Sequence, residues 1–111
     1  MMRADTLQNL FDARDKLSDM IISLKPENDD QRKQLERLMQ RNDRITGAIN
    51  QVIAAKFNEV ANGLAEKVSN LEQQTAALNK LNNVINDVQN AIQIADEIIK
   101  LVIGILQIAA S

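Results

Sequence analysis

The chain has no cysteine, no histidine, no tryptophan and no tyrosine, and its only aromatics are Phe11 and Phe57. It carries three glycines and one proline in 111 residues. Without cysteine there is no disulfide scaffold and no thiolate nucleophile. Without histidine as well, there is no Cys/His zinc site and no imidazole base. An all-β fold would need many short strands joined by Gly-, Pro- and Asn-Gly-type turns, and that turn material is missing. Charge of one sign is missing too. Thirteen Lys and Arg face fifteen Asp and Glu, a net of -2. So balanced a chain has no general attraction to nucleic acid or to an anionic membrane.

What is present is aliphatic. Hydrophobic residues make up 45% of the chain, nearly all of them Ile, Leu, Val and Ala. Such side chains pack helix on helix without aromatic plates. The length allows one small domain. The segment behind Arg3 holds no apolar run, so a secretory signal peptide is not expected there. The cytoplasm is the default location, and a non-classical route of secretion stays open.

Helical periodicity runs along most of the chain. Leu7, Leu10, Phe11, Leu17, Met20, Ile21 and Leu24 recur at steps of three and four, which predicts a helix over 5–24 started by Asp5 or Thr6. Pro26 ends it, because the residue before a proline is pushed out of helical geometry. Asn28 or Asp29 then caps the next helix. From 29 to 111 there is no proline. Leu35, Leu38, Asn42, Ile45, Ile49 and Val52 form one heptad seam. Leu78, Leu81, Ile85, Val88, Ile92, Ala95, Ile99, Val102, Leu106 and Ala109 form another. Between them the steps run Phe57, Val60, Leu64, Val68, Leu71, Thr75, with a stutter of four at Leu64 to Val68.

One unbroken helix over that stretch would be about 125 Å long, so a fold-back is expected. Asn62-Gly63 is the preferred place, since glycine accepts the left-handed geometry that closes a helix. The Asn-rich run 79–83 is the rival. The resulting expectation is an all-α single domain over 1–111. It has a short N-terminal helix and a long antiparallel helical hairpin, in a coiled-coil-like bundle with helices near 5–24, 29–61 and 64–110. On that reading residues 97–110 overhang the hairpin. They are also apolar around most of the helix circumference, with Gln93, Lys100 and Gln107 as a thin polar stripe. A helix apolar on nearly every side must be covered on nearly every side.

That requirement predicts function more than any motif does. There is no Gly-rich phosphate loop, no nucleophile elbow and no calcium loop. Asp87, Asp96 and Glu97 are read as solvated helix charges, so neither catalytic residues, a cofactor nor a metal is expected. The expected function is a non-enzymatic helical interaction protein. It would assemble with itself, as a dimer or tetramer, through Ile92, Ile99, Val102, Ile105 and Leu106. Asn42, a polar residue on an apolar seam, is the candidate for fixing register between copies. A helical partner protein could serve in place of a second copy.

The alternative is a membrane-active component, pore-forming or secretion-apparatus-like, whose C-terminal segment meets lipid. Lys100 and the lack of interfacial Trp or Tyr argue against it. The basic run Arg32, Lys33, Arg37, Arg41 and Arg44 has no interleaved aromatic for base stacking. It is read as a solvated face paired with acidic groups of the first helix, and nucleic acid is not an expected partner. In layout (helix, proline-marked turn, long helix) the chain is similar to small helical secretion-apparatus subunits and to helical components of pore-forming toxins. The resemblance is one of layout, and no residue role follows from it.

Overall fold

The computed structural model describes residues 4–55 and 64–109. They form four α-helices with no strand among them: α1 (Ala4–Ser23), α2 (Asp29–Ala55), α3 (Leu64–Asn79) and α4 (Val88–Ala109). Phe57, Val60 and the expected turn at Asn62-Gly63 lie outside the described residues, as does the expected end of the second helix at 61.

α1 buries Leu10, Ala13, Leu17 and Met20 completely. These are spaced three, four and three apart, one stripe of a helix. The helix is already formed at Ala4, so Asp5 and Thr6 stand inside its first turn instead of before it. After Pro26 the start of α2 is tightly capped. The Asn28 side chain accepts a hydrogen bond from the Gln31 backbone N–H at 2.9 Å. Gln31 in turn accepts one from the Glu27 N–H at 2.7 Å. This reciprocal arrangement satisfies donors that the first turn leaves open.

The one long helix expected over 64–110 is two helices. The rival Asn-rich segment breaks it, and the reasons are local and tertiary. Asn79, Asn82 and Asn83 are poor helix interior residues, because their side chains compete for nearby backbone groups. Val84 is extended, with φ -130° and ψ 153°, and a 3-10 turn over Ile85–Asp87 leads into α4. The Asp87 carboxylate accepts the Asn82 N–H at 2.8 Å. From α1, Lys16 donates its ammonium to the Leu81 carbonyl at 2.6 Å and to the Asn83 side chain at 3.2 Å. The connection is held by charge-assisted bonds that a straight helix would not allow.

The break changes the packing. α1 packs on α2 and α3, and α4 packs on the same two helices. α2 and α3 therefore occupy opposite corners of the bundle, antiparallel as expected, with α1 and α4 packed between them. Ser18 and Asn42 meet while Ile21 and Ile22 face Met39, so α1 and α2 are antiparallel. Arg41 meets Asp96 while Gln51 and Ile103 share a groove further on, so α2 and α4 run parallel. α3 and α4 are antiparallel, since Lys67 near the start of α3 lies against Gly104 near the end of α4. The fold is an all-α bundle running up, down, up, down.

No overhang forms over the described part of α4. Val88, Ala91, Ala95, Ile98, Val102 and Ile105 are fully buried and Ile92 nearly so. Covered by two neighbours, α4 needs a wider apolar face than a two-stranded seam provides. Ile98 and Ile105 take the fully buried places that the heptad pattern assigned to Ile99 and Leu106, which are half-buried at the edge of the core.

Candidate interaction site

Of the five residues expected at an oligomer contact, Ile92, Val102 and Ile105 lie inside the chain's own core. A second copy could reach them only by opening the bundle. Ile99 and Leu106 pack against that core with part of their surface accessible. The contact that sequence placed on the α4 seam is thus occupied at its centre by α2 and α3. What α4 leaves at the surface is its edge: Ile99 and, one turn on, Ile103, which is 48% exposed.

That edge forms one wall of an open groove of about 590 Å³. Arg44, Gly47, Ala48 and Gln51 of α2 form the other wall and the floor. Gly47 is exposed and leaves the α2 wall low, because no side chain or other helix comes within 4 Å of where its Cβ would stand. About one turn before the groove residues on both helices, Arg41 and Asp96 form an ion pair, Nε to Oδ1 at 2.9 Å. This partly exposed pair bridges the two parallel helices. The expected pairing of the basic run with acidic groups of α1 is absent among the described residues. Arg41 is bound to α4 and Arg32 to Asp29 of its own helix at 3.1 Å. Arg37 and Arg44 are exposed and have no ion-pair partner among the described residues.

Asn42 holds α1 against α2 inside one chain. Its amide donates to the Ser18 hydroxyl at 3.1 Å, and its Oδ1 is buried with no hydrogen-bond partner. Beside it runs a second, smaller groove of about 430 Å³ lined by Ser18, Ile21, Ile22, Met39, Asn42 and Asp43. A buried polar atom left unpaired costs roughly 1–3 kcal/mol. Asn42→Leu continues the apolar stripe between Leu38 and Ile45 and is expected to raise stability by about 1 kcal/mol. Urea unfolding followed by circular dichroism checks this. Unchanged or lower stability would show that the Ser18 bond outweighs the orphaned atom.

The carboxylates singled out in the sequence do not converge. Asp87 closes the turn before α4, Asp96 is paired with Arg41, and Glu97 lies 3.5 Å from Lys100 of its own helix. The described residues hold no cluster of three acidic groups that could bind a metal ion. No helix among them is long and apolar enough to cross a membrane. Sequence reasoning missed Gly47 and Ile103 as neighbours. Nothing in the local pattern marks them, since they meet only because α2 and α4 run parallel.

The fold defines the chain as an all-α helical bundle with an open interhelical groove. No protein-family model, curated protein or solved structure matches it.

Proposed function

We propose that the chain is a non-enzymatic helical interaction protein that associates with further copies of itself, its C-terminal helix contributing Ile99 and Ile103 to the contact. The observation that carries this reading is the groove between α2 and α4. It is apolar on the α4 side, open over Gly47, and rimmed by Arg44 and Gln51. Helix-in-groove recognition uses this kind of site, with apolar anchors at helical spacing seated between two helices and polar groups at the rim.

Ile103→Asp tests the proposal. The side chain is half exposed, so a carboxylate there stays in water and the fold is retained. In a contact it would have to be desolvated without a partner. The wild-type chain is expected to show concentration-dependent mass by light scattering, and the variant to stay monomeric with unchanged helicity. A wild-type monomer over the whole micromolar range would overturn the proposal. If that monomer also co-sedimented with lipid vesicles and Ile103→Asp abolished the effect, the membrane-active reading would replace it.

A further inference from the structure

Resting on the self-association just proposed, we infer that the occupant of the α2/α4 groove is the acidic outer face of α1 from a second copy. Two surfaces of the bundle match in charge and in spacing. On α2, Arg37, Arg44 and Gly47 follow one another at steps of seven and three. Both arginines are exposed, and Gly47 is the open point of the groove. On α1, Asp12, Asp19 and Ile22 follow at the same steps of seven and three. Asp19 is exposed, Asp12 is half-buried, and Ile22 has 80% of its surface in water, the largest exposure among the described bulky apolar residues.

Residues seven apart on a helix lie on one face two turns from each other, and a further step of three keeps them on that face. Two helices set side by side and parallel therefore place Asp12 opposite Arg37 and Asp19 opposite Arg44. The same register puts Ile22 over Gly47, next to Ile103. A largely exposed aliphatic side chain, which in the single chain only edges the α1/α2 groove, meets the uncovered backbone at Gly47. Arg44 in the groove, and Arg37 two turns before it on α2, meet carboxylates. Asp15, between the two aspartates on the same face, adds negative charge there and is offset by Arg14 at only 3.8 Å.

The α1 face cannot reach the groove of its own chain. α1 packs on α2 and α3 and stands at the corner diagonal to α4, so its outer face points away from the α2/α4 side. The contact is consequently between copies and between two different surfaces. A contact of that kind propagates into a ring or an open chain. Complementary charge sets the register and the rate of encounter more than the affinity, and it is screened by salt.

Full-length chains carrying Asp12→Arg with Asp19→Arg, or Arg37→Asp with Arg44→Asp, test the pairing by sedimentation velocity, with circular dichroism confirming that each remains folded. Each double variant alone is expected to associate roughly tenfold or more weakly than wild type, because like charges then face each other. Mixed in equal amounts, the two variants are expected to recover association with one another. Raising the salt is expected to weaken the wild-type complex. If the wild type associates, Ile103→Asp blocks it, and both charge-reversed variants associate like wild type, α1 is not the occupant while the groove remains the contact. If the mixture fails to recover although each variant is weakened, the charges act without pairing and the register is overturned. A wild-type chain that never associates overturns both proposals.

Discussion

Val102→Asp is expected to unfold the protein. The side chain is fully buried in the face α4 turns to its neighbours. A carboxylate at that point loses its water and gains no donor, which costs several kcal/mol. Domains of this size are held by only about 5–15 kcal/mol in total. The far-ultraviolet circular dichroism signal should fall well below the wild-type level at 25 °C, or the urea midpoint should collapse. One residue on, Ile103→Asp should leave both within a small margin, since changes at accessible positions usually stay within about 0.5 kcal/mol. The heptad pattern locates the buried face near Ile99, and the pair Val102 and Ile103 tests where its edge lies. A helical Val102→Asp variant as stable as wild type would mean that α4 is not packed as described.

Lys16→Met is expected to destabilise the bundle by about 1.5–3 kcal/mol, the usual worth of a hydrogen bond to a charged donor. Methionine keeps most of the apolar stem, so the loss reports the ammonium and not the packing. The Leu81 carbonyl would be left without the donor that reaches it at 2.6 Å, and the Asn83 side chain would lose its contact as well. Because these bonds hold the break between α3 and α4, hydrogen exchange should rise first at residues 80–87. Unchanged urea stability and unchanged exchange in that segment would show that the Asn-rich run breaks the helix by itself.

The helices were legible where periodicity and caps agree. The stripe through Leu10, Leu17 and Met20 and the stop at Pro26 are local features, and so is the Asn28 cap. Each depends on residues within a turn or two of one another. The seam Leu64, Val68, Leu71, Thr75, Leu78 was legible with its stutter, and all five are buried. The second break was not legible as the favoured one. A heptad running from Leu78 through Leu81 to Ile85 looks continuous in sequence. What interrupts it is partly Lys16, sixty-five residues away from Leu81.

The groove shows the same division. That Ile99 and Ile103 belong to a strongly apolar helix is visible in the chain alone. That Ile103 is exposed while Ile98 and Ile105 are enclosed follows from α4 having α2 on one side and α3 on the other. Asn42 was visible as a polar residue on an apolar seam, but its partner, Ser18 of the same chain, depends on how α1 crosses α2.

Composition and periodicity alone determined that this is an all-α chain with aliphatic cores. Helix formation is governed by bonds four residues apart and by which faces are apolar, and both are properties of the local sequence. The tertiary structure decided which helices are neighbours, that α2 and α4 run parallel, and hence that Gly47, Ile99 and Ile103 form one groove. Those outcomes depend on contacts between residues tens of positions apart. Their free energies are set by the shape of the whole bundle and by the break at 80–87, which the Asn-rich run permits and the Lys16 contacts from α1 help to hold.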